Sequence, residues 1–341
     1  MNRNPPRRLP RIALTQGDPA GVGPELCLRA ATSEQMRRLC RPVIFGDRAV
    51  LEGVAAKLDL PAPNHYFALT ADLRDEPGEG TTAVDCATLD HLPAAGVVDA
   101  ECGRAAYASL TAAIEAVRGG AFDALTTAPL SKAALHRAGI HENGHTEILA
   151  KKTFTRDYAM MLYSEHLALS FVTCHCALSD VPALCSRERV ARVITLTDDA
   201  LHRIRGRRPR LAVLGLNPHG GEQGAFGREE IEAIAPAIDD AQAAGIDAEG
   251  PLPPDAAFMP HHRERYDGWV CQYHDQGHVA FKMVALHEGV NVTLGLPLIR
   301  TSVDHGTAFD IARQGRADPG SLFAALRLAA ALAADEGREG R

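Results

Sequence analysis

The sequence predicts an α/β fold built from two domains or from one large two-lobed unit. Short apolar runs typical of buried strands alternate with amphipathic stretches typical of helices, which favours a largely parallel sheet flanked by helices. The chain has 341 residues, which is longer than a single hydrophobic core usually supports. Apolar residues make up 46% of the chain and charged residues 23%, an ordinary globular balance that supplies enough apolar surface for two cores.

Capping residues mark several of the predicted helix boundaries. Pro24 suits the first position of a helix, Ser131 can cap the helix that follows it, and Gly119 and Gly245 end two others. Residues 64–99, which are rich in Pro, Gly and Asp, are interpreted as loops and irregular edge strands. In chain order, strands are predicted at 11–16, 42–46, 124–127, 158–162, 167–176, 210–216 and 269–273, and helices at 24–31, 48–57, 102–117, 132–138, 186–205, 229–244 and 321–335.

The charge and cysteine content narrow the class of protein. The net charge of -7, from 36 basic and 43 acidic residues, argues against nucleic acid as a partner, because binding to a phosphate backbone requires a basic surface. No apolar run reaches the roughly 18 residues of a membrane span, and the basic start lacks the apolar segment of a signal peptide. The eight cysteines form no CxxC pair, so we expect reduced, mostly buried thiols in a cytoplasmic protein.

Residues 273–310 hold a concentration of polar groups within apolar sequence. Ionisable and amide side chains are set among glycines and short apolar runs, whereas a solvated helix face would space its charges helically. In a core strand such groups are costly to bury unpaired. We therefore predict an active site on loops carried by a rigid scaffold. The polar residues of this segment are His274, Asp275, Lys282, Asn291, Arg300, Asp304 and His305.

Three histidines, His175, His219 and His274, lie at or near the ends of apolar strands. Three neutral imidazoles suit a borderline divalent ion such as Zn²⁺, Co²⁺ or Mn²⁺ and leave positions open for substrate oxygens. If residues 167–176 are extended, alternation places His175 on the face opposite its two flanking cysteines, which are then packing residues. The spacing leaves open whether the three histidines converge or each is a satisfied loop or strand residue.

Two further loops each have two interpretations. Residues 17–25, GDPAGVGPE, lie between a strand and a helix and form either a ligand-facing loop or a plain tight turn. They match neither the Walker A nor the Rossmann glycine pattern. His145 and Thr146 can present an imidazole, a hydroxyl and backbone N–H groups to an anion at a helix start. Alternatively, Thr146 caps the helix beside a solvent-facing histidine.

Six sequence blocks together resemble the 4-hydroxythreonine-4-phosphate dehydrogenase (PdxA) family of vitamin B6 synthesis. The resemblance implies the two-lobed fold of isocitrate and isopropylmalate dehydrogenases, with an active-site cleft. Residues 1–130 and 276–341 would form the lobe with both termini and the NAD site, and residues 131–275 the lobe with the metal ligands and the dimer interface. The blocks are GDPAGVGPE, TAPLSKAAL with the later GHTE, LNPHGGE, GPLPPDAAF, YHDQGHVAFK and GVNVTLGLPLIRTSVDHGTAFDIA.

The resemblance also implies roles for individual residues. His175, His219 and His274 match the family's metal ligands, for Zn²⁺, Co²⁺, Mn²⁺ or Mg²⁺, and His274 would be supplied across the interface of a homodimer with a shared active site. The other implied assignments are His145, Thr146, Lys282, Asn291 and Arg300 as substrate-binding residues, and Asp304, His305, Gly306 and Thr307 as NAD contacts.

These roles imply an NAD- and metal-dependent oxidative decarboxylation of a small phosphorylated hydroxy acid. The metal would bind the substrate hydroxyl and a neighbouring oxygen, hydride would pass to NAD⁺, and the β-keto acid would lose CO₂. Asp255, Asp275 and Lys282 are unranked candidates for the base that removes the hydroxyl proton. Lys282 and Arg300 can bind a phosphate or carboxylate through charge-assisted hydrogen bonds.

Several alternatives stay open. The family also contains D-threonate and D-erythronate 4-phosphate dehydrogenases and more distant dihydrodiol dehydrogenases, and the basic pocket residues favour a phosphorylated substrate over a dihydrodiol. A metal-dependent hydrolase without a nicotinamide would use the same histidines. A non-catalytic binding module would require the loss of one of those histidines or of Lys282, and all are present. The choice of NAD over NADP rests on family analogy.

Overall fold

The computed structural model describes residues 8–74, 79–142, 144–285 and 288–339. The chain divides into two compact units: unit one contains residues 1–155 and 296–341, and unit two contains residues 156–295. Strands alternate with helices in the described parts of both units, so the predicted α/β class is confirmed. The isocitrate dehydrogenase-like arrangement of the units stays a prediction.

The elements of the described residues largely follow the sequence predictions. The strands are β1 (Arg11–Thr15), β2 (Arg41–Gly46), β3 (His65–Ala68), β4 (Thr82–Asp85), β5 (Ala124–Thr127), β6 (Ala159–Tyr163), β7 (Ala168–Phe171), β8 (Arg210–Leu214), β9 (Asp247–Leu252), β10 (Gly268–Cys271), β11 (Val290–Leu294) and β12 (Arg300–Val303). The helices are α1 (Gly23–Thr32), α2 (Glu34–Leu39), α3 (Arg48–Leu58), α4 (Ala100–Arg118), α5 (Lys132–Arg137), α6 (His145–Thr153), α7 (Val181–Leu184), α8 (Arg187–Arg205), α9 (Ala235–Ala243), α10 (Pro260–Arg265), α11 (His274–Ala285) and α12 (Gly320–Glu339). Among these described elements, no helix is both long and apolar enough to cross a membrane.

Unit one contains a parallel sheet in the order β3-β4-β2-β1-β5-β12. β1 and β5 are buried along their whole length, as expected for central parallel strands covered on both faces. Because parallel strands end at the same edge of a sheet, the residues that follow them lie along one edge, where α/β folds bind ligands. Gln16, Asp47, Ala128 and Asp304 follow β1, β2, β5 and β12 in this way.

Unit two contains a mixed sheet in the order β11-β6-β7-β10-β8-β9. β6 pairs antiparallel with both β7 and β11, whereas β7, β10, β8 and β9 are parallel to one another. The carboxyl ends of β7, β8 and β10 therefore lie at the same edge. Each of these strands leads toward one of the predicted metal ligands, His175, His219 and His274.

The units differ from the predicted lobes in two segments. Residues 131–155 lie in unit one rather than in lobe two, because Leu135, Ile148 and Leu149 of α5 and α6 pack into the same core as α4. Residues 276–295 lie in unit two rather than in lobe one. Phe281 of α11 is buried in the core of that unit, and β11 pairs with β6.

The interpretation of segment 273–310 as loops is wrong for much of its length, because it contains helix α11 and strands β11 and β12, and Asn291 and Arg300 lie on those two strands. The buried residues of that helix are Gly277, His278, Phe281 and Ala285, a helical spacing that faces the core. Polar residues between them obscured the pattern. Lys282 therefore projects from a regular helix rather than from a loop.

The predicted strand at 167–176 is also wrong at its carboxyl end, because β7 ends at Phe171. The backbone continues to pair only as far as Thr173, which donates to the carbonyl of Gln272, and the chain then bends. His175 and its flanking cysteines are thus outside the sheet, so strand alternation does not govern which way they face. Cys176 is exposed, which contradicts its assignment as a packing residue.

Candidate functional site

Two of the three predicted metal ligands come together in unit two. His175 lies in the bend after β7 and His274 begins α11, and their ring centroids are 5.8 Å apart. Both line an open cavity of about 340 Å³, together with Cys174, Cys176, Leu178, Val181, Tyr273 and Asp275.

The imidazole of His274 is held by its neighbour in sequence. Nδ1 of His274 lies 2.6 Å from Oδ1 of Asp275, and a carboxylate only accepts, so Nδ1 carries the proton. This hydrogen bond lowers the pKa of the exposed Asp275 carboxyl. The arrangement leaves Nε2 of His274 as the nitrogen available to a metal, as is usual when the other ring nitrogen bonds a carboxylate.

His219 lies in the loop after β8, which has an unusual backbone. Residues 219–223 all have positive φ angles, 54° at His219 itself, and the ring of His219 packs against Phe226. The buried carboxylate of Glu230 anchors the start of this loop by accepting from the backbone N–H groups of Leu216 and Asn217, each at 2.7 Å. The loop conformation is therefore fixed from within unit two.

In the part of the chain that the structure describes, no group of three His, Cys, Asp or Glu side chains is arranged to hold a metal ion. The structure thus brings His175 and His274 together, whereas the place of His219 beside them stays a prediction. An imidazole that presents its Nε2, as His274 does, beside a second imidazole fits Zn²⁺, Co²⁺ or Mn²⁺ as part of a three-histidine site.

The other predicted residues of unit two are less closely grouped. Lys282 is exposed on α11, about two turns after His274, and Asp255 is exposed in the turn that follows β9. Asn291 lies on β11, and within the described residues its buried Oδ1 has no hydrogen-bond partner. Of the three candidate bases, Asp275 alone is shown in contact with a predicted metal ligand.

The predicted anion-binding residues of unit one do cluster. Arg300, only 2% exposed at the start of β12, donates from Nη2 to Oγ1 of Thr127 at 2.8 Å. His145, the first residue of α6, hydrogen-bonds the carbonyl of Ala128. Removal from water and the nearby charge of Arg300 hold the pKa of His145 well below its usual range, so His145 is neutral at pH 7.

Arg300 is a cation in an environment that disfavours charge. Burial lowers the pKa of its guanidinium to about 9, and the carboxylate of Glu147 opposes that shift only in part. The start of α6, where Thr146 lies, adds the positive end of a helix dipole to the same region. This arrangement suits a phosphate or carboxylate, which would compensate the buried charge.

The predicted NAD stretch packs against the glycine-rich loop at 17–25. The N–H of Val22 donates to the carbonyl of Thr307 at 3.0 Å. A β-carbon on Gly21 would lie 2.8 Å from that same carbonyl oxygen, so only glycine permits this approach. His305 and Gly306 are exposed beside it. The loop thus supports residues 304–307, whichever ligand they bind.

Comparison with known proteins identifies the family. The family model described as "Pyridoxal phosphate biosynthetic protein PdxA" matches residues 38–329. The chain belongs to the PdxA family. This confirms the resemblance predicted from the sequence blocks.

Relatives of this PdxA-family chain have two kinds of name. It is 41% identical to a 4-hydroxythreonine-4-phosphate dehydrogenase of Desulforapulum autotrophicum, over 94% of this chain and 95% of the relative. It is 42% identical to a D-threonate 4-phosphate dehydrogenase of Salmonella typhimurium, over 94% and 98%. The crystal structure of a 4-hydroxythreonine-4-phosphate dehydrogenase from Klebsiella pneumoniae matches with a TM-score of 0.83 and 39% identity, over 95% of this chain and 98% of that one.

Sequence reasoning about this PdxA-family chain missed two residues, His278 and Asp18. His278 is one helical turn after His274, a spacing that would have been noticed had α11 been predicted. Asp18, in the loop at 17–25, is fully buried; its Oδ1 accepts from the N–H of Ala20, and its Oδ2 has no partner among the described residues. Burial raises the pKa of Asp18 to about 6, and the charge of Asp99 adds to that shift.

We expect Asp18→Asn to stabilise the folded chain at pH 7.5 but not at pH 4. The folded state binds the Asp18 proton more tightly than the unfolded chain, whose pKa is 3.8, so stability falls as pH rises through 6. The ionised Asp18 carboxyl therefore lowers the free energy of unfolding by about 3 kcal/mol at neutral pH, which Asp18→Asn should restore. Thermal unfolding at the two pH values measures it. Asp239→Asn, at an exposed site on α9, is the control; an equal effect of the two substitutions would contradict the assignment.

Proposed function

We propose that this chain catalyses an NAD- and divalent-metal-dependent oxidative decarboxylation of a small phosphorylated hydroxy acid, of the 4-hydroxythreonine-4-phosphate dehydrogenase type. The alternative substrates are D-threonate and D-erythronate 4-phosphates. The observation that carries the proposal is His274, which presents a fixed and available Nε2 in a cavity shared with His175.

The relatives' names confirm the predicted class of enzyme, an oxidoreductase that acts on a phosphorylated hydroxy acid. They do not choose between the two phosphorylated substrates, because the identities to relatives with either name are 41% and 42%. The choice of substrate is therefore left to experiment. Loss of CO₂, the identity of the metal, and NAD rather than NADP are parts of the proposal.

We assign the binding of the substrate's anionic group to Arg300, His145 and Thr146 of unit one. Arg300 would form charge-assisted hydrogen bonds, bidentate where the geometry permits, and neutral His145 would accept or donate without adding charge. The guanidinium of Arg300 is already buried in place, so little side-chain entropy is lost when the anion binds. Lys282 and Asn291 of unit two are the remaining proposed substrate contacts.

We assign metal binding to His175, His219 and His274. The structure pairs His175 with His274 within one chain, and the mixing of two variants tests whether His274 serves that site or the site of the second copy. When bound, such an ion supplies polarisation of the substrate's hydroxyl oxygen and later of its ketone. Asp275 holds the ring of His274 in one tautomer, so its role is to orient a ligand. That leaves Asp255 and Lys282 as the candidate bases for the hydroxyl proton.

We assign NAD binding to Asp304, His305, Gly306 and Thr307. These residues follow β12 at the edge of the sheet where α/β folds bind cofactors. Thr307 is held by the loop at 17–25, which would keep the stretch in one conformation on binding.

We further propose a homodimer with a shared active site. Leu178, which lines the histidine cavity, is 68% exposed, and Met283 on the helix of His274 is 82% exposed. Val279 of the same helix is also exposed. Large apolar side chains left in water beside a predicted site favour burial against a second copy of the chain.

A substrate panel tests the reaction. We expect NADH formation from 4-hydroxythreonine 4-phosphate or from D-threonate or D-erythronate 4-phosphate, with little from unphosphorylated D-threonate or a dihydrodiol acid. Each compound is offered with NAD⁺ and with NADP⁺. Chelation should abolish the activity, and Zn²⁺, Mn²⁺ or Co²⁺ should restore it. Turnover without a nicotinamide would favour the hydrolase alternative, and full activity after exhaustive metal removal would exclude the proposed metal role.

A further inference from the structure

His278 lies against the proposed metal ligand His274 in a geometry that restricts both rings. The two residues are one turn apart on α11, their ring centroids are 3.5 Å apart, and their planes are inclined by only 11°. His278 is 7% exposed, whereas His274 is half-buried at the cavity. One face of the His274 ring is therefore covered by another aromatic ring rather than by water.

His278 is itself fixed on two sides. Its Nδ1 lies 2.9 Å from the carbonyl oxygen of His274, and since a carbonyl only accepts, Nδ1 of His278 donates. Its ring also packs against the fully buried Phe171 of β7, with centroids 4.8 Å apart. A β-carbon on Gly277 would lie 2.8 Å from the ring of Phe171, so glycine at this position allows α11 to pack this closely.

These contacts leave His274 little freedom. The stacked ring of His278 sets the plane of the His274 imidazole, and the hydrogen bond to Asp275 sets which nitrogen carries the proton. We propose that His278 is a positioning residue that holds the Nε2 of His274 in the orientation that a divalent metal requires. This inference rests on the proposed function, in which His274 is a metal ligand. It adds His278 as a residue that affects metal binding through His274.

Two variants distinguish a role of the His278 ring in stacking from a role of its nitrogens in direct metal binding. His278→Phe keeps a flat ring over His274 but loses the nitrogens, and His278→Leu removes the ring. We expect His278→Leu to weaken Co²⁺ binding to the metal-stripped full-length protein by roughly 10- to 100-fold, the usual effect of losing a residue that orients a ligand. His278→Phe should stay within a few-fold of the unmodified protein. His166→Leu, at an exposed histidine of the same unit, is the control and should have no effect.

A second readout does not depend on the metal. In ¹⁵N-histidine NMR spectra of the metal-free protein, His274 should show one tautomer with the proton on Nδ1. Without the stacked ring of His278 the His274 imidazole can turn away from Asp275, so His278→Leu should shift the signal toward an averaged pair of tautomers. If His278→Leu changes neither Co²⁺ affinity nor this signal, the proposal is wrong. Equal loss of Co²⁺ binding in both variants, with an unchanged His274 signal, would show that His278 is itself a metal ligand. That result would also overturn the positioning proposal.

The two readouts keep this proposal distinct from the proposed function. If the unmodified protein binds no divalent metal, the proposed function fails, but the His274 signal still reports whether His278 holds the ring. If the metal binds and the signal of His274 is the same in all variants, the proposed function stands and the positioning role falls.

Discussion

Replacing His274 by alanine should abolish high-affinity metal binding while the chain remains folded. The residue supplies the available Nε2 at the histidine cavity, so its loss should lower Co²⁺ affinity by more than the roughly 10- to 100-fold seen when only an outer residue is removed. Alanine is a good helix former, and His274 is the first residue of α11, so the helix should persist. Titration with Co²⁺, thermal unfolding and the rate of NADH formation measure the three expectations.

The matched control is His166→Ala, which removes an exposed histidine from the same unit. It should leave metal affinity, folding and rate unchanged. Wild-type metal occupancy and rate in the His274→Ala protein would show that the ligand assignment is wrong. Loss of folding in that protein would instead indicate that the stack with His278 is mainly structural.

Mixing two variants tests whether the active site is shared. If His274 acts across the dimer, combining His175→Ala with His274→Ala leaves one intact site in each mixed dimer, and we expect recovery of about a quarter of the activity at equilibrium. If both histidines act within one chain, as their 5.8 Å separation also permits, each mixed dimer has a lesion at both sites. Absence of recovery would then assign the pair to a single chain and contradict the shared site.

Elements with strong local signals were predicted from the sequence. The strand at 124–127 was predicted to the residue, because a short apolar run is bounded there by polar and proline residues. Ser131 and Ser186 were expected to begin helices, and their side chains do accept from the N–H groups of Ala134 and Arg189. Such boundaries depend only on neighbouring residues.

Features set by tertiary contacts were not predictable in the same way. Helix α11 was missed because its buried face includes Gly277 and His278, which pack against the ring of Phe171 on β7, a contact that the helix sequence alone does not reveal. The five successive positive φ angles at 219–223 depend on the anchoring of the loop by Glu230, which follows it in the chain. The pairing of His175 with His274 likewise depends on β7 and β10 being neighbours in the sheet.

Replacing Arg300 by methionine should weaken substrate binding without destabilising the folded chain. Charge-assisted hydrogen bonds to a substrate anion contribute about 1.5–3 kcal/mol, so kcat/KM for the phosphorylated substrate should fall roughly 10- to 100-fold. Methionine fills a similar apolar volume at the start of β12, and the hydroxyl of Thr127 loses one donor. The exposed Arg316 provides a matched control, because Arg316→Met removes a charge of the same kind from unit one.

The stability part of this prediction follows from the sign of the pKa shift. The folded state lowers the pKa of Arg300 from 12.5 to about 9, so it binds that proton less tightly than the unfolded chain does. At pH 7 the buried charge therefore opposes folding by roughly 3–5 kcal/mol, with the favourable charge of Glu147 already counted, and this penalty lessens only as pH rises above 9. Removing the charge should leave the melting temperature unchanged or higher.

A protein that retains a buried cation at such a cost to its stability is expected to use it on a ligand. Inorganic phosphate or substrate should accordingly raise the melting temperature of the unmodified protein and of Arg316→Met, and should have little effect on Arg300→Met. A marked loss of stability in Arg300→Met together with an unchanged kcat/KM would make Arg300 a structural residue. The anion site would then have to be sought among Lys282 and its neighbours on α11.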